Sequence, residues 1–569
     1  MSRRIFIAAS VAVSSIAAAE PTQTLRAMKD ELARSMSDLA LRDGGKPYFI
    51  SYGMWDHERF EISASLGALV ASYEFPVRTL DIDLRVGDAS FDNTNITDRS
   101  AARSITLPRD DDYDTVRRDL WLATDRLFKH ETETLAHKRA IVAAEAASPD
   151  AVASFSKEPP AQIHVPGTPP AIDRGKLEAL AKQLSGVFRS NPDVYSGTVE
   201  ISGWSAMNYF ISSEGSESSQ MISVVHIRVA CSTQAADGMP LHDGFDIWVR
   251  AENDLPASAE LVARVEALSR ELTALRVAPI VEDYAGPVLF DGLAAGQVLH
   301  ALVVDDFAGT PGMRSDRPGG HRLGDTELAG KVGQRILPTN VAVVDDPTRA
   351  TVDDQLMLGT LRFDEEGVPV QKVSLVEKGV FKRFVMSRAP RKGFEHSNGH
   401  AASTSSDPVR AHPFNVIVTA TGGLSDATIR ARAIAAAKAE GLAYVLVVDR
   451  LDVQPFGELD TSMFAERSTV ARPAIIKRVY ADGHEQLVRG ALFGEINARS
   501  LRDVVAVGSR ATVYNFYGNG LDTHYSSMFE NSQGYLASIA SPPLLFKDVE
   551  VKPPRNSQRS APIAPRPSP

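Results

Sequence analysis

From Thr22 to Leu41 the apolar residues Leu25, Met28, Leu32, Met36 and Leu39 recur every three or four positions, the period of one helical face. A first amphipathic helix is expected there. The period then shortens to two in "PYFISYGMWDHERFEISASLGALVASYEF" and "TLDIDLRVG", where aromatic and β-branched residues alternate with polar ones as in half-buried strands. A stretch from Tyr113 to Ala147, rich in Ala, Leu, Arg and Glu and without Gly or Pro, predicts a long helix. Residues 148–172 are dense in Pro and Ser and read as an exposed connection. Beyond it come a helix over Arg174 to Phe188, strands through "YSGTVEISGWSAMNYFISSEG" and "QMISVVHIRVACSTQ", and a helix from Ser258 to Leu275.

The second half, from about Ala278, is dominated by strand-like runs: "TLRFDEEGVPVQKVSLVEKGVFKRFVMSR", "FNVIVTATGG", "LAYVLVVDRLD", "PAIIKRVYADGHEQLVRGALF" and "ATVYNFYGNG". The "EEG", "EKG" and "ADG" segments sit between alternating runs as hairpin turns, and one helix, Ser425 to Glu440, interrupts the strands. The pattern is α+β. It predicts an N-terminal domain over 20–277 with helices on an antiparallel sheet, a β-rich barrel- or sandwich-like domain over 278–551, and a disordered Pro-rich tail over 552–569.

With 569 residues and 43% hydrophobic content the chain can bury two substantial cores. Its net charge of −11, without a long Lys/Arg run, argues against a nucleic-acid partner. Residues 1–19 have a basic start (Arg3, Arg4), an apolar run and an Ala17-Ala18-Ala19 site, the layout of a cleavable secretory signal. Export across the inner membrane to a periplasmic location is therefore expected. No cysteine at the cleavage site supports a lipid anchor, and no later run is apolar enough for a transmembrane segment in the mature chain. Cys231 stands alone, so intramolecular disulfides are impossible.

Several stretches taken together resemble the TldD/PmbA family, relatives of zinc metallopeptidases: "DYAGPVLFDGLAAGQVLHALV", the pair "FDEEGVPVQKVSLVEKGVFKRFVMSR", the loop "GFEHSNGHA" and "RVYADGHEQLVRGALFGE". The resemblance implies a two-domain subunit that forms a homodimer, or a heterodimer with a related subunit, around a cleft for an extended peptide. In the active branch of that family a helix carries HExxxH, with two histidines on zinc and the glutamate as general base. A late cysteine completes the metal shell.

That motif is degenerate here. Laid on "HALVVD", it puts His300 at the first histidine, Ala301 at the glutamate and Asp305 at the second histidine. A methyl group cannot take a proton from a metal-bound water, so Ala301 removes the base. By the resemblance, Tyr517 and Gly518 stand where the Cys-Gly pair would be. A nonstandard zinc shell from His300, Asp305 and Asp306 remains an alternative. On a regular helix, however, residues five apart project about 140° from one another, so His300 and Asp305 would meet one ion only if the helix were unwound.

His396 and His400 have metal-like spacing but flank a Ser-Asn-Gly loop, where spacing means little. The pairs Asp305/Asp306 and Asp345/Asp346 read more simply as caps or solvated loop ends than as a cation site. No GxSxG or phosphate loop is present. The leading expectation is an exported peptide-binding or partner subunit without a cofactor. The rivals are an active zinc peptidase with the nonstandard shell, and a non-catalytic structural or assembly protein of the cell envelope.

Overall fold

The computed structural model describes residues 22–41, 45–96, 103–144, 152–314, 325–403, 409–452, 470–518 and 534–554. The expected secretory signal and nearly all of the expected tail fall outside these residues, although Lys552 still closes the strand Leu544–Lys552.

The chain opens with α1 (Gln23–Asp38), then β1 (Pro47–Ser65), β2 (Ala68–Glu74), β3 (Val77–Asp88), β4 (Phe91–Asp92), β5 (Ser104–Leu107) and α2 (Tyr113–Ala144). After β6 (Gln162–His164) come α3 (Arg174–Gly186), β7 (Ser196–Ser212), β8 (Glu217–Gln234), β9 (Pro240–Val249) and α4 (Ser258–Val277). These nine strands form one sheet in the order β4-β3-β1-β7-β8-β6, with β2 on β1, β5 on β3 and β9 on β8. All pairings are antiparallel except β6 with β8.

Side-chain alternation explains what covers this sheet. The even positions of β1 all face the helices: Ile50, Tyr52 and Met54 pack under α1 and α2, while Phe60 and Ile62 pack under α3. The odd positions and their cross-strand partners face the second half of the chain, where Trp55, Trp204 and Val224 meet Leu358, Leu361, Leu536 and Tyr517. One sheet therefore separates four helices from everything that follows. That arrangement is the α+β fold expected from the periodicities.

The second half is built on two open sheets. Seven strands run Glu485–Val488, Pro473–Tyr480, Tyr444–Leu451, Tyr284–Phe290, Leu544–Lys552 and Leu492–Phe493, with Val504–Val507 also paired to Leu544–Lys552. Six run Val380–Phe381, Val373–Glu377, Val341–Asp345, Asn415–Ala420, Tyr535–Ser541 and Thr512–Gly518. Neither closes into a barrel, and both contribute to one core with the helix α5 (Gly292–Leu299) within it. Helix α6 (Asp426–Ala439) covers the outer face of the seven-stranded sheet through Ile429, Ala433 and Ala437. The "EKG" turn forms as expected, with Lys378 and Gly379 both at positive φ between paired Glu377 and Val380.

The Pro-rich connection is exposed or half-buried over 157–172, as expected, but buried at Ser154, Phe155 and Ser156. Phe155 is 2% exposed, with the Arg85 guanidinium 3.6 Å and the Arg388 guanidinium 3.8 Å from its ring centroid. Two guanidiniums that close to one ring fit only on opposite faces. Arg388 also donates to the Ser156 carbonyl at 2.6 and 3.0 Å and pairs with Glu214 at 2.7 Å. Composition hid this because the partners of Phe155 come from β3 and from the far half of the chain. The segment is a strap joining the two halves.

Candidate functional site

Helix α5 is apolar on all sides because it has core on all sides. Asp291 caps it, its Oδ1 accepting from the Gly292 amide at 2.8 Å. Gly296 faces the strand Thr512–Gly518 so closely that a Cβ there would stand 3.0 Å from Tyr514 Cβ. On the other side the Gln297 side chain accepts from the Leu451 amide at 2.8 Å, tying the helix to the other sheet. The helix is thereby held between the two sheets.

Past Leu299 the winding changes. His300–Val304 form a π-helical turn and Asp305–Phe307 a 3-10 turn. A π turn repeats at i to i+5, which brings residues five apart onto one side. The unwinding needed for convergence is therefore present: His300 Nε2 lies 3.5 Å from Asp305 Oδ1. The His300 side chain is 7% exposed and that of Asp305 70% exposed, so a carboxylate at the surface reaches back to a buried ring. Ala301 is half-buried, its methyl packed against the main core.

The strand Thr512–Gly518 supplies the wall over His300. Phe516 lies tilted against His300 with ring centroids 4.3 Å apart, and Tyr514 lies at 6.0 Å. Alternation turns Tyr517 to the opposite face of this strand, where it packs with Trp204 of β7. Phe516 thus faces His300 while Tyr517, the residue that the resemblance sets at the cysteine position, faces the first sheet, and nothing in "VYNFYGNG" tells which side of the strand faces the helix.

Asp306 points elsewhere. Its carboxylate accepts from the Glu327 amide at 2.8 Å and the Thr326 hydroxyl at 3.1 Å, so it ties down the 326–327 turn. Burial raises its pKa above the usual carboxylate range. The two acidic pairs do not form one site: Asp345 is fully buried, accepting from the Phe414 and Asn415 amides at 2.8 and 2.9 Å, while Asp346 accepts from the Thr348 hydroxyl at 2.6 Å. Nor do His396 and His400 converge. The exposed His396 ring lies 3.4 Å from Glu158, and the buried His400 lies 3.6 Å from Asp345.

One neighbour was invisible in the sequence. His412 is held low, at a pKa of about 4, first by burial, with Arg410 adding to the effect and Asp305 opposing it. Among the described residues its buried Nε2 has no hydrogen-bond partner, and its ring lies 4.4 Å from that of Tyr535. Only the fold brings it within reach of the charge on Asp305. Even so, among the described residues no three His, Cys, Asp or Glu side chains come close enough to share a metal ion. Catalytic zinc takes three protein ligands, so the pair His300 and Asp305 does not fit such an ion.

Comparisons with known proteins cover the region that holds this helix. A model of the PmbA/TldA metallopeptidase C-terminal domain matches residues 283–448, which include α5 and the π turn. A protein of Archaeoglobus fulgidus named a metalloprotease is 34% identical over 84 residues, 15% of this chain and 18% of its own length. The chain thus matches under a fifth of that relative. At the level of fold the likeness is much wider. The structure of a proposed modulator of a DNA gyrase from Thermotoga maritima superposes with a TM-score of 0.59 at 13% identity, over 92% of this chain and 99% of that one. TldE from Thermococcus kodakarensis superposes at 0.56 with 15% identity, over 92% and 100%. Family model and fold point the same way: residues 283–448 are similar to the PmbA/TldA metallopeptidase C-terminal domain, and most of the chain shares the fold of these structures.

Proposed function

We propose that this protein is an exported, non-hydrolysing TldD/PmbA-type subunit that binds an extended peptide, alone as a homodimer or beside a related catalytic subunit. The observation that carries the reading is Ala301, a methyl group at the position where the family's resemblance calls for the general base. The surroundings support it, since the apolar ring of Phe516 lies against His300. Peptide capture would work by strand addition. The outer edge of β2 suits this: among the described residues β2 pairs with β1 alone, and it exposes Val70 and Tyr73.

A second reading, a peptidase with a nonstandard shell, draws its support from the 3.5 Å approach of His300 and Asp305. A third, a structural or assembly protein of the envelope, has no specific observation in its favour. Metal analysis by mass spectrometry on the untagged protein, beside His300→Ala, separates the first two. The expected outcome is a small zinc content that is the same in both samples. Near-stoichiometric zinc lost in His300→Ala would overturn the proposal and turn attention to peptidase assays.

A further inference from the structure

The strand Val380–Phe381 ends the six-stranded sheet on the side opposite Thr512–Gly518, the strand that meets the first sheet. Within the sheet it pairs with Val373–Glu377, Phe381 standing opposite Val376. Residues 333–335 lie along its other side: the Gly333 amide donates to the Phe381 carbonyl at 2.8 Å, the Phe381 amide donates to the Gln334 carbonyl at 2.9 Å, and Arg335 bridges Val380. Leu375, Val376 and Phe381 turn into the core and are fully buried. What these segments leave outside is cationic.

Arg335, Lys372, Lys378, Lys382 and Arg383 are exposed, and Lys331 is half-buried. Among the described residues none of the six takes part in an ion pair. The acids nearby are Glu327, Glu377, which accepts from the Ser374 hydroxyl at 2.9 Å, and Asp325, which is paired with Arg391. Like charges gathered without partners repel one another, and a chain of net charge −11 has acids enough to pair them. A surface that serves stability alone has no use for such a patch.

The make-up of the patch selects its partner. Four of the six are Lys, a point charge on a flexible stem that is depleted from the cores of protein–protein interfaces. Phe381 and Phe384 are buried, so neither offers a nucleic-acid base a stacking platform. Val332 is 43% exposed, on a turn between Gly330 and Gly333, where a Cβ added at either glycine would meet nothing within 4 Å. An apolar tip that stands clear of the protein among cations suits a lipid surface, which takes both charge and apolar side chains.

We propose that this edge docks the protein on an anionic phospholipid surface, its cations against headgroup phosphates and Val332 at the acyl boundary. The proposal is independent of the peptide-binding reading.

The test is co-sedimentation of the whole protein with vesicles of phosphatidylglycerol and phosphatidylcholine in equal parts, beside vesicles of phosphatidylcholine alone. Binding is expected to the mixed vesicles only, and to fall as salt rises. Lys382→Gln with Arg383→Gln should weaken partitioning about 30-fold, since each cation near such a surface accounts for about fivefold. Lys547→Gln with Arg502→Gln removes the same charge from exposed positions on or beside the seven-stranded sheet and should leave partitioning unchanged. No binding to the mixed vesicles, or an equal loss in both pairs, overturns the proposal. Binding to duplex DNA at the same salt with vesicles left unbound overturns it in favour of a nucleic-acid partner.

Discussion

Placing histidine at 305 and cysteine at 516, as Asp305→His with Phe516→Cys, is expected to raise the zinc content to about one ion per chain. The argument is geometric. The π turn already sets residues 300 and 305 against each other, at 3.5 Å between their polar atoms, and the ring of residue 516 already lies 4.3 Å from that of His300. Two substitutions would then supply the missing donors from directions the backbone provides. Adding Ala301→Glu would supply a base for a metal-bound water. Phe516 is 5% exposed, so its loss opens a cavity, and circular dichroism must show the variant folded before its metal is counted. If the folded double variant takes up no zinc, the turn is a remodelled element and the decayed-site reading fails. By contrast, Tyr517→Cys with Asp305→His should leave zinc content low, because residue 517 faces Trp204.

Replacing Arg85 by methionine is expected to cost about 3–5 kcal/mol, the range for removing one partner from a buried ion network. Arg85 is 6% exposed and meets Asp83 at 2.9 Å, Asp92 at 3.3 Å and Glu366 at 3.6 Å. Burial works against its charge, yet these three carboxylates together hold its pKa above the ordinary arginine value. Without it, Asp92 at 0% exposure keeps, among the described residues, only Lys138, 3.9 Å away, as a cation. Phe155 would also lose one of its two guanidiniums and with it part of the strap. Chemical denaturation reads the effect, and adding Glu366→Gln to Arg85→Met should recover part of the loss, since it removes a charge left buried. A loss below about 1 kcal/mol would show that the Arg85 network contributes little to the joint between the two halves.

The elements of the first half were legible because each obeys one period. The helix begun at Gln23 and the strand Pro47–Ser65 show their buried faces in the spacing of Leu25, Met28 and Leu32 and of Ile50, Tyr52 and Met54. In the second half the long run around "FDEEGVPVQKV" kept strand structure only over Val373–Glu377 and Val380–Phe381, with an isolated bridge between Phe363 and Pro369. There the turn is pinned by Phe210 and by side-chain hydrogen bonds rather than by a ladder, and such tertiary demands leave no periodic trace.

The sequence by itself determined which chemistry is missing from the helix. Ala301 lacks a carboxylate and residue 305 lacks an imidazole wherever the chain places them, because identity is a local property. Only the tertiary structure decided the rest. It unwound the helix after Leu299 so that His300 meets Asp305, and it turned Phe516 rather than Tyr517 toward them. It also brought His412 into the field of Asp305 and drew Phe155 between two arginines. Each of these depends on which face of one element meets which face of another, and that is settled when two sheets close on a helix and not by the order of residues within any one of them.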